Sequence, residues 1–174
     1  MKYFEALTHK MKDLADIPNT IFLGQAVKNS GTIMYNTLKD LPNNKTIEMP
    51  VAENMQLGMS IGLSLQGYLP ISIFPRWNFL LSATDQLINH LDKISEISNN
   101  EFNPKVIIRV GVGSEEPLYP GPQHVGNFSD TFRSLLKNIN VVELFTTEDI
   151  VREYNTAIRS HNSTILVEFM DKYN

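Results

Sequence analysis

The chain has 174 residues, 42% hydrophobic and 20% charged, a size and balance that suit one globular domain over residues 1–174 with its own core. Its net charge is -4 and its 15 Lys and Arg residues are scattered, so there is no footprint for nucleic acid, and no apolar run reaches the roughly 18 residues of a membrane span. With no cysteine, disulfides and thiolate metal sites are excluded, and a soluble, cytoplasmic protein is the default expectation.

In chain order, Met1–Leu14 reads as a helix, and Thr20–Leu23 as a buried strand after Pro18-Asn19. Thr46–Glu48 is a second strand, ended by Pro50. Glu53–Leu65 reads as a helix because Leu57, Ile61 and Leu65 fall at i, i+4 and i+8; Gly67 follows where helices close in the left-handed region. Ile71–Phe74 is the next strand, and Phe79–Ile97 a long helix stopped by Asn99-Asn100.

Val106–Val110 is the clearest strand, four of its five residues being β-branched, as suits a central position. Gly111–Phe128 carries four glycines and three prolines and reads as a loop, long enough to suggest a functional one. Ser129–Leu136 is a short helix, Val141–Phe145 a strand, Thr147–Ser160 a helix with an acidic first turn, and Ser163–Glu168 a final strand. Strands spaced by helices imply right-handed crossovers: an α/β fold, its mostly parallel sheet covered by helices on both faces.

The generic motif scan is negative: there is no phosphate loop, no dinucleotide fingerprint, no nucleophile elbow and no H-E-x-x-H. Histidines 9, 90, 124 and 161 are too dispersed for a metal cluster. The stretch Pro50-Val51-Ala52-Glu53, running into Gly58 and Gly62, stands out. Glycines four apart share a helix face and admit close backbone approach; helix–sheet packing alone would explain them. Glu53 falls at the carboxyl end of a parallel strand, where α/β proteins place ligands, although a Glu in a first helical turn reads first as a dipole partner.

This run, with Gly67-Tyr68-Leu69-Pro70-Ile71 after it, resembles the β subunits of the E1 components of 2-oxo acid dehydrogenases, of pyruvate and branched-chain type. More distantly it is similar to the pyrimidine domain of transketolases. The likeness continues collinearly through Trp77-Asn78-Phe79, Ala83-Thr84-Asp85-Gln86-Leu87-Ile88-Asn89, Gly121-Pro122-Gln123-His124 and Ala157-Ile158-Arg159, covering essentially the whole chain.

The resemblance implies the pyrimidine domain of a thiamine-diphosphate-binding fold. Glu53 would be the carboxyl that hydrogen-bonds N1′ of the aminopyrimidine, favouring the imino tautomer that removes the C2 proton. Phe79 matches the aromatic that stacks on the pyrimidine ring, Trp77 would stand nearby or serve the core, and Val51 would lie against the ring edge. His124 matches the histidine that handles the substrate carboxylate and shuttles protons. Asp85-Gln86 reads as structural, capping a helix or crossing an interface.

Departures accompany the match. The acidic residues after the first strand's glycine are absent, the segment being Gly24-Gln25-Ala26-Val27. The serine after the histidine is Val125, and Pro75-Arg76 precede the aromatic cluster, so the substrate side is expected to differ. The chain ends at Asn174, where E1 β subunits continue into a further domain. There is no Gly-Asp-Gly from which a diphosphate-bound Mg²⁺ could be gripped, so half a site is expected here.

The implied partner is a diphosphate-binding, E1 α-like subunit that holds the Mg²⁺, in a heterotetramer with thiamine diphosphate shared at the interfaces. The substrate is then a 2-oxo acid or a ketose, by an oxidative E1 route or a split-transketolase route, and the missing domain weakens the first. An exposed apolar surface is expected for the partner. A non-catalytic scaffold or regulatory relative is the alternative, and a flavodoxin-like binding module a third reading.

Overall fold

The computed structural model describes residues 1–116 and 118–173. Six strands, β1 (Thr20–Gly24), β2 (Thr46–Glu48), β3 (Leu69–Phe74), β4 (Ile107–Val112), β5 (Asn140–Leu144) and β6 (Thr164–Phe169), form one sheet in the order β2-β1-β3-β4-β6-β5. Every pairing is parallel. The central strands are buried on both faces, which is why β3 and β4 read as near-continuous apolar runs, and the edge strand β2 has only three residues.

Helices cover both faces. On one, α1 (Tyr3–Ala15) and α6 (Thr147–Arg159) pack with a 3-10 turn at Ile33–Thr37 over Phe22, Ile71, Ile73 and Leu166. On the other, α2 (Glu53–Leu65), α3 (Trp77–Leu80) and α5 (Ser129–Leu135) cover Phe74, Ile108, Val110 and Ile165. The Thr146 hydroxyl accepts from the Asp149 N–H at 3.1 Å while the Asp149 carboxylate accepts from the Thr146 N–H at 3.0 Å, which fixes the start of α6. No helix among the described residues is long and apolar enough to cross a membrane.

The predicted helix over Phe79–Ile97 is instead a broken path. It starts earlier, as α3, passes through a 3-10 turn at Leu81–Ala83 and a π-helix at Gln86–Leu91, and ends in α4 (Ile94–Ile97). Ala83, Leu87 and Leu91 recur every fourth residue along this path and are buried. Asn99 and Asn100 end this path, both with positive φ (52° and 65°), and Gly67 closes α2 at φ 87°. β4 continues to Val112, so the predicted loop starts at Gly113; Pro117 in it lies outside the described residues.

The order of the strands sets the place of the site. From β1 the chain moves outward to β2, then returns across β1 to β3, so loops leaving the carboxyl ends of β1 and β3 diverge and leave a crevice between them.

Candidate functional site

Gly24 ends β1 where only a glycine fits: its φ is 154°, and a Cβ there would stand 2.4 Å from the Ile73 carbonyl oxygen. The loop that follows, Gln25 to Thr32, is pinned by a residue the sequence reading passed over. The Glu48 carboxylate, at the end of β2, accepts the backbone N–H groups of Ala26 (2.7 Å), Val27 (2.9 Å), Lys28 (2.7 Å) and Asn29 (3.2 Å). Partial burial opposes its ionisation, but these four donors outweigh it and hold the carboxyl below its ordinary value.

Met49 then bonds the Gly24 carbonyl, and Pro50-Val51-Ala52 lead into α2, whose first residue is Glu53. The helix is fixed one turn further on by Gln56, a second residue that was missed. Its buried amide donates to Ile73 O (2.9 Å), Ser72 Oγ (3.1 Å) and Leu23 O (3.4 Å), tying α2 to the ends of β1 and β3. A sequence signal existed: Gln56 lies on the stripe side of the helix, and Ser72 interrupts an apolar strand. With the helix held there, the half-buried Glu53 carboxyl makes no hydrogen bond or ion pair with any described residue. Val51 is 80% exposed at the crevice rim.

After β3, Pro75 and Arg76 turn the chain into α3. Arg76 Nη1 donates to the carbonyls of Gly113 and His124 (3.0 Å to the latter), so the loop after β4 is drawn onto the loop after β3. Phe79 and His124 are thereby brought together, ring centroids 5.7 Å apart at 74°. His124 Nδ1 lies 2.8 Å from the Gln123 carbonyl, which can only accept; in the neutral ring the proton is on Nδ1 and Nε2 keeps its lone pair.

Trp77 takes the core alternative. Its indole is fully buried, stacked on Phe132 at 5.0 Å and edge-on to Phe128, so it has no face to offer a ligand. Asp85 precedes the π-helix without a side-chain capping bond and accepts from the Asn89 side chain at 2.8 Å, and Gln86 lies against Gly58. The packing explanation for the paired glycines fails. A Cβ on Gly58 would face Gln86, one on Gly62 would meet nothing within 4 Å, and Met55 and Met59 on the same side are 48% and 38% exposed.

The crevice holds two adjoining clefts that share Gly31 and Thr32. One, of about 280 Å³, lies between Thr32, Arg76, Phe79 and Ser114; the other, of about 330 Å³, lies between Gln25, Glu48, Pro50 and Val51. Another cleft of about 360 Å³, by Asn103, Asn138 and His161, opens at the opposite, amino ends of β4 and β6 and holds none of these residues. The clefts offer the Phe79 ring and the apolar Val51 rim, and Glu53, two residues past Val51 at the start of α2, lines neither of them. No group of three or more His, Cys, Asp or Glu side chains that could hold a metal ion occurs among the described residues.

Comparison with known proteins adds an independent line. The family described as transketolase, pyrimidine binding domain, matches residues 1–174. The chain is 29% identical to a chloroplastic pyruvate dehydrogenase E1 component subunit beta-3 of Arabidopsis thaliana, over 98% of this chain and 42% of that protein. It is 26% identical to the 2-oxoisovalerate dehydrogenase subunit beta of Bacillus subtilis, over 65% of this chain and 36% of that protein. Among solved structures, a split gene transketolase described as an inactive beta4 tetramer matches with a TM-score of 0.73 at 16% identity, over 95% of this chain and 50% of that one. A transketolase of Campylobacter jejuni also matches with a TM-score of 0.73, at 14% identity, over 94% and 24%. The structural likenesses speak to the fold, and the chain spans less than half the length of both sequence relatives.

Proposed function

The chain belongs to the transketolase pyrimidine-binding domain family, and from that membership we propose that it is the cofactor-activating subunit of a thiamine-diphosphate enzyme. The observation that carries this reading is the unpartnered Glu53 carboxyl at the start of α2, two residues past the Val51 rim of one cleft, whose neighbouring cleft is lined by Phe79. When bound, thiamine diphosphate supplies an electron sink for making or breaking a carbon–carbon bond next to a carbonyl.

The chain's own residues do the rest. The Glu53 carboxyl would share a hydrogen bond with the ring nitrogen of the pyrimidine, and with no hydrogen-bond partner among the described residues it has none to give up first. Phe79 offers its ring face and Val51 its exposed methyl groups, so both exclude water from the pyrimidine. His124 Nε2 accepts or returns a proton on the substrate side, its orientation set by Gln123 and by the loop that Arg76 grips. Trp77 supports this wall from behind.

A partner of diphosphate-binding, E1 α-like type completes the site, supplying the Mg²⁺ ligands that this chain lacks. The exposed face of α2, with Met55, Met59 and Gly62, is where we place it, in a heterotetramer of two and two. The substrate is a 2-oxo acid, as in the names of the sequence relatives, or a ketose by a split-transketolase route. A cysteine-free composition fits a cytoplasmic setting.

The test is co-expression with a diphosphate-binding chain, followed by measurement of thiamine diphosphate binding and of 2-oxo acid and ketose turnover. Glu53→Gln is expected to keep the cofactor and to lose about 10²–10⁴-fold in turnover. Unchanged turnover in that variant removes Glu53 from the role. Failure of any such partner to restore cofactor binding favours a non-catalytic relative.

A further inference from the structure

We propose that Arg76 is the substrate-anion receptor of this crevice, taking an oxyanion, carboxylate or phosphate, of a small carbonyl substrate into the cleft beside Phe79. The proposal rests on reading the crevice as the substrate side of a thiamine-diphosphate site, and it adds the charge class of what enters.

Among the described residues, Arg76 is the one charged group lining the cleft of about 280 Å³, in a chain whose net charge is -4. It is half-buried, and only Nη1 has partners, the carbonyls of Gly113 and His124. Nε and Nη2 make no hydrogen bond to a described residue, and no carboxylate of the described residues lies within 4.0 Å of the guanidinium. Asp171 is the nearest opposing influence, but its carboxylate accepts the Glu115 N–H at 3.0 Å. Partial burial lowers the Arg76 pKa, with Asp171 acting against that; a guanidinium still stays charged at neutral pH, so the cleft holds a half-buried cation.

Such a group is short of acceptors. A planar fork with one nitrogen anchored and the other two N–H positions free matches the two oxygens of a carboxylate or phosphate, and desolvation strengthens that pairing. Two hydroxyls share the lining: Ser114, which makes no hydrogen bond to a described residue, and Thr32, which accepts from Tyr35 N at 3.4 Å. Both can donate to the same anion. The volume suits a small molecule, being at the lower end of the roughly 300–1,000 Å³ of ordinary ligand sites. Because Phe79 lines the cleft, the anion would sit beside the ring that faces His124.

The experiment uses the full chain, ¹⁵N-labelled, following the arginine Nε–Hε resonances at constant ionic strength with pyruvate, inorganic phosphate or the neutral ester methyl pyruvate. A saturable shift of the Arg76 resonance with pyruvate, phosphate or both, and none with the ester, is expected; which anion acts separates a carboxylate source from a phosphate source. Arg76→Gln is expected to weaken that binding about tenfold or more, and Arg76→Lys to keep part of it. No saturation with either anion up to a concentration on the order of 50 mM overturns the proposal. So does undiminished binding in a folded Arg76→Gln chain. If that variant loses its fold with the loop contacts, the wild-type titration and Arg76→Lys still decide. No cofactor or partner is needed, so anion binding without cofactor-dependent turnover of the assembled complex would sink the enzyme reading alone. Turnover without anion binding at Arg76 would sink this proposal alone.

Discussion

The rings of Phe79 and His124 meet in a T-shaped arrangement, centroids 5.7 Å apart and planes 74° apart. One ring belongs to α3 after β3, the other to the loop after β4, and Arg76 joins those two segments through the His124 carbonyl. The edge-to-face arrangement is favoured by the ring quadrupole and contributes about 0.5–1.5 kcal/mol. The imidazole is therefore placed by the protein itself, before any ligand arrives.

Replacing Phe79 by Leu removes that quadrupole contact while keeping an apolar side chain. The His124 Hε1 resonance is expected to move toward its random-coil position and the chain to lose about 1 kcal/mol in urea denaturation. A His124 resonance that does not move would mean the loop alone fixes the imidazole.

Glu48 gives the crevice an acid limit. Its folded pKa is lowered from 4.5: burial works against ionisation, and the four backbone donors prevail. A depressed carboxyl contributes stability in full above its unfolded value and loses it as pH falls through the folded value, so the loop Gln25 to Thr32 should loosen below about pH 4.5. Amide exchange at Ala26 to Asn29 reads this directly. Glu48→Gln should remove the acid dependence and cost about 1–2 kcal/mol at pH 7, four charge-assisted bonds being discounted for solvent exposure. Parallel acid loss in wild type and variant would place the cause elsewhere.

What the sequence made legible is what periodicity and composition encode. α2 was readable to the residue because its stripe, Pro50 and Gly67 bound it, and the parallel sheet followed from β-branched runs separated by helices. Glu53 drew attention by its place after a strand, whereas the roles proposed for it, Phe79 and His124 rest on collinear likeness. Gln56, Glu48 and the grip of Arg76 on the next loop were not legible, because each acts on backbone carbonyls or N–H groups whose positions exist only after folding. The π-helix escaped for a related reason: a four-residue spacing of buried residues is also compatible with a regular helix.

Arg109 shows the same limit inside the core. It stands in the β-branched run of β4, fully buried, with Nε and Nη2 donating to the Glu168 carboxylate at 2.7 and 2.9 Å. Tyr154 and Tyr173 donate to the same carboxylate, and burial raises both phenols well above their ordinary range. Arg109→Met strands a buried carboxylate and should cost about 3–5 kcal/mol. The pair Arg109→Met with Glu168→Leu should cost less than the two singles added, because the second change removes the stranded charge. Additive losses in a double-mutant cycle would show that packing, and not the pair, carries the energy.

Gly62 separates what suits this chain alone from what suits an assembly. A glycine inside a helix costs about 1 kcal/mol relative to alanine, and here nothing lies within 4 Å of where a Cβ would go. Gly62→Ala should therefore raise the stability of the isolated chain by about 0.5–1 kcal/mol, a rise of roughly 1–4 °C in Tm. The proposed assembly reverses the preference. With Met55 and Met59 exposed on the same side of α2, a partner backbone approaching at Gly62 would meet the new side chain. Gly62→Leu should keep the fold yet weaken pairing with the diphosphate-binding chain by tenfold or more, as read by analytical ultracentrifugation. If Gly62→Leu pairs as tightly as wild type, the partner docks elsewhere, and the open space beside this glycine has no role in assembly.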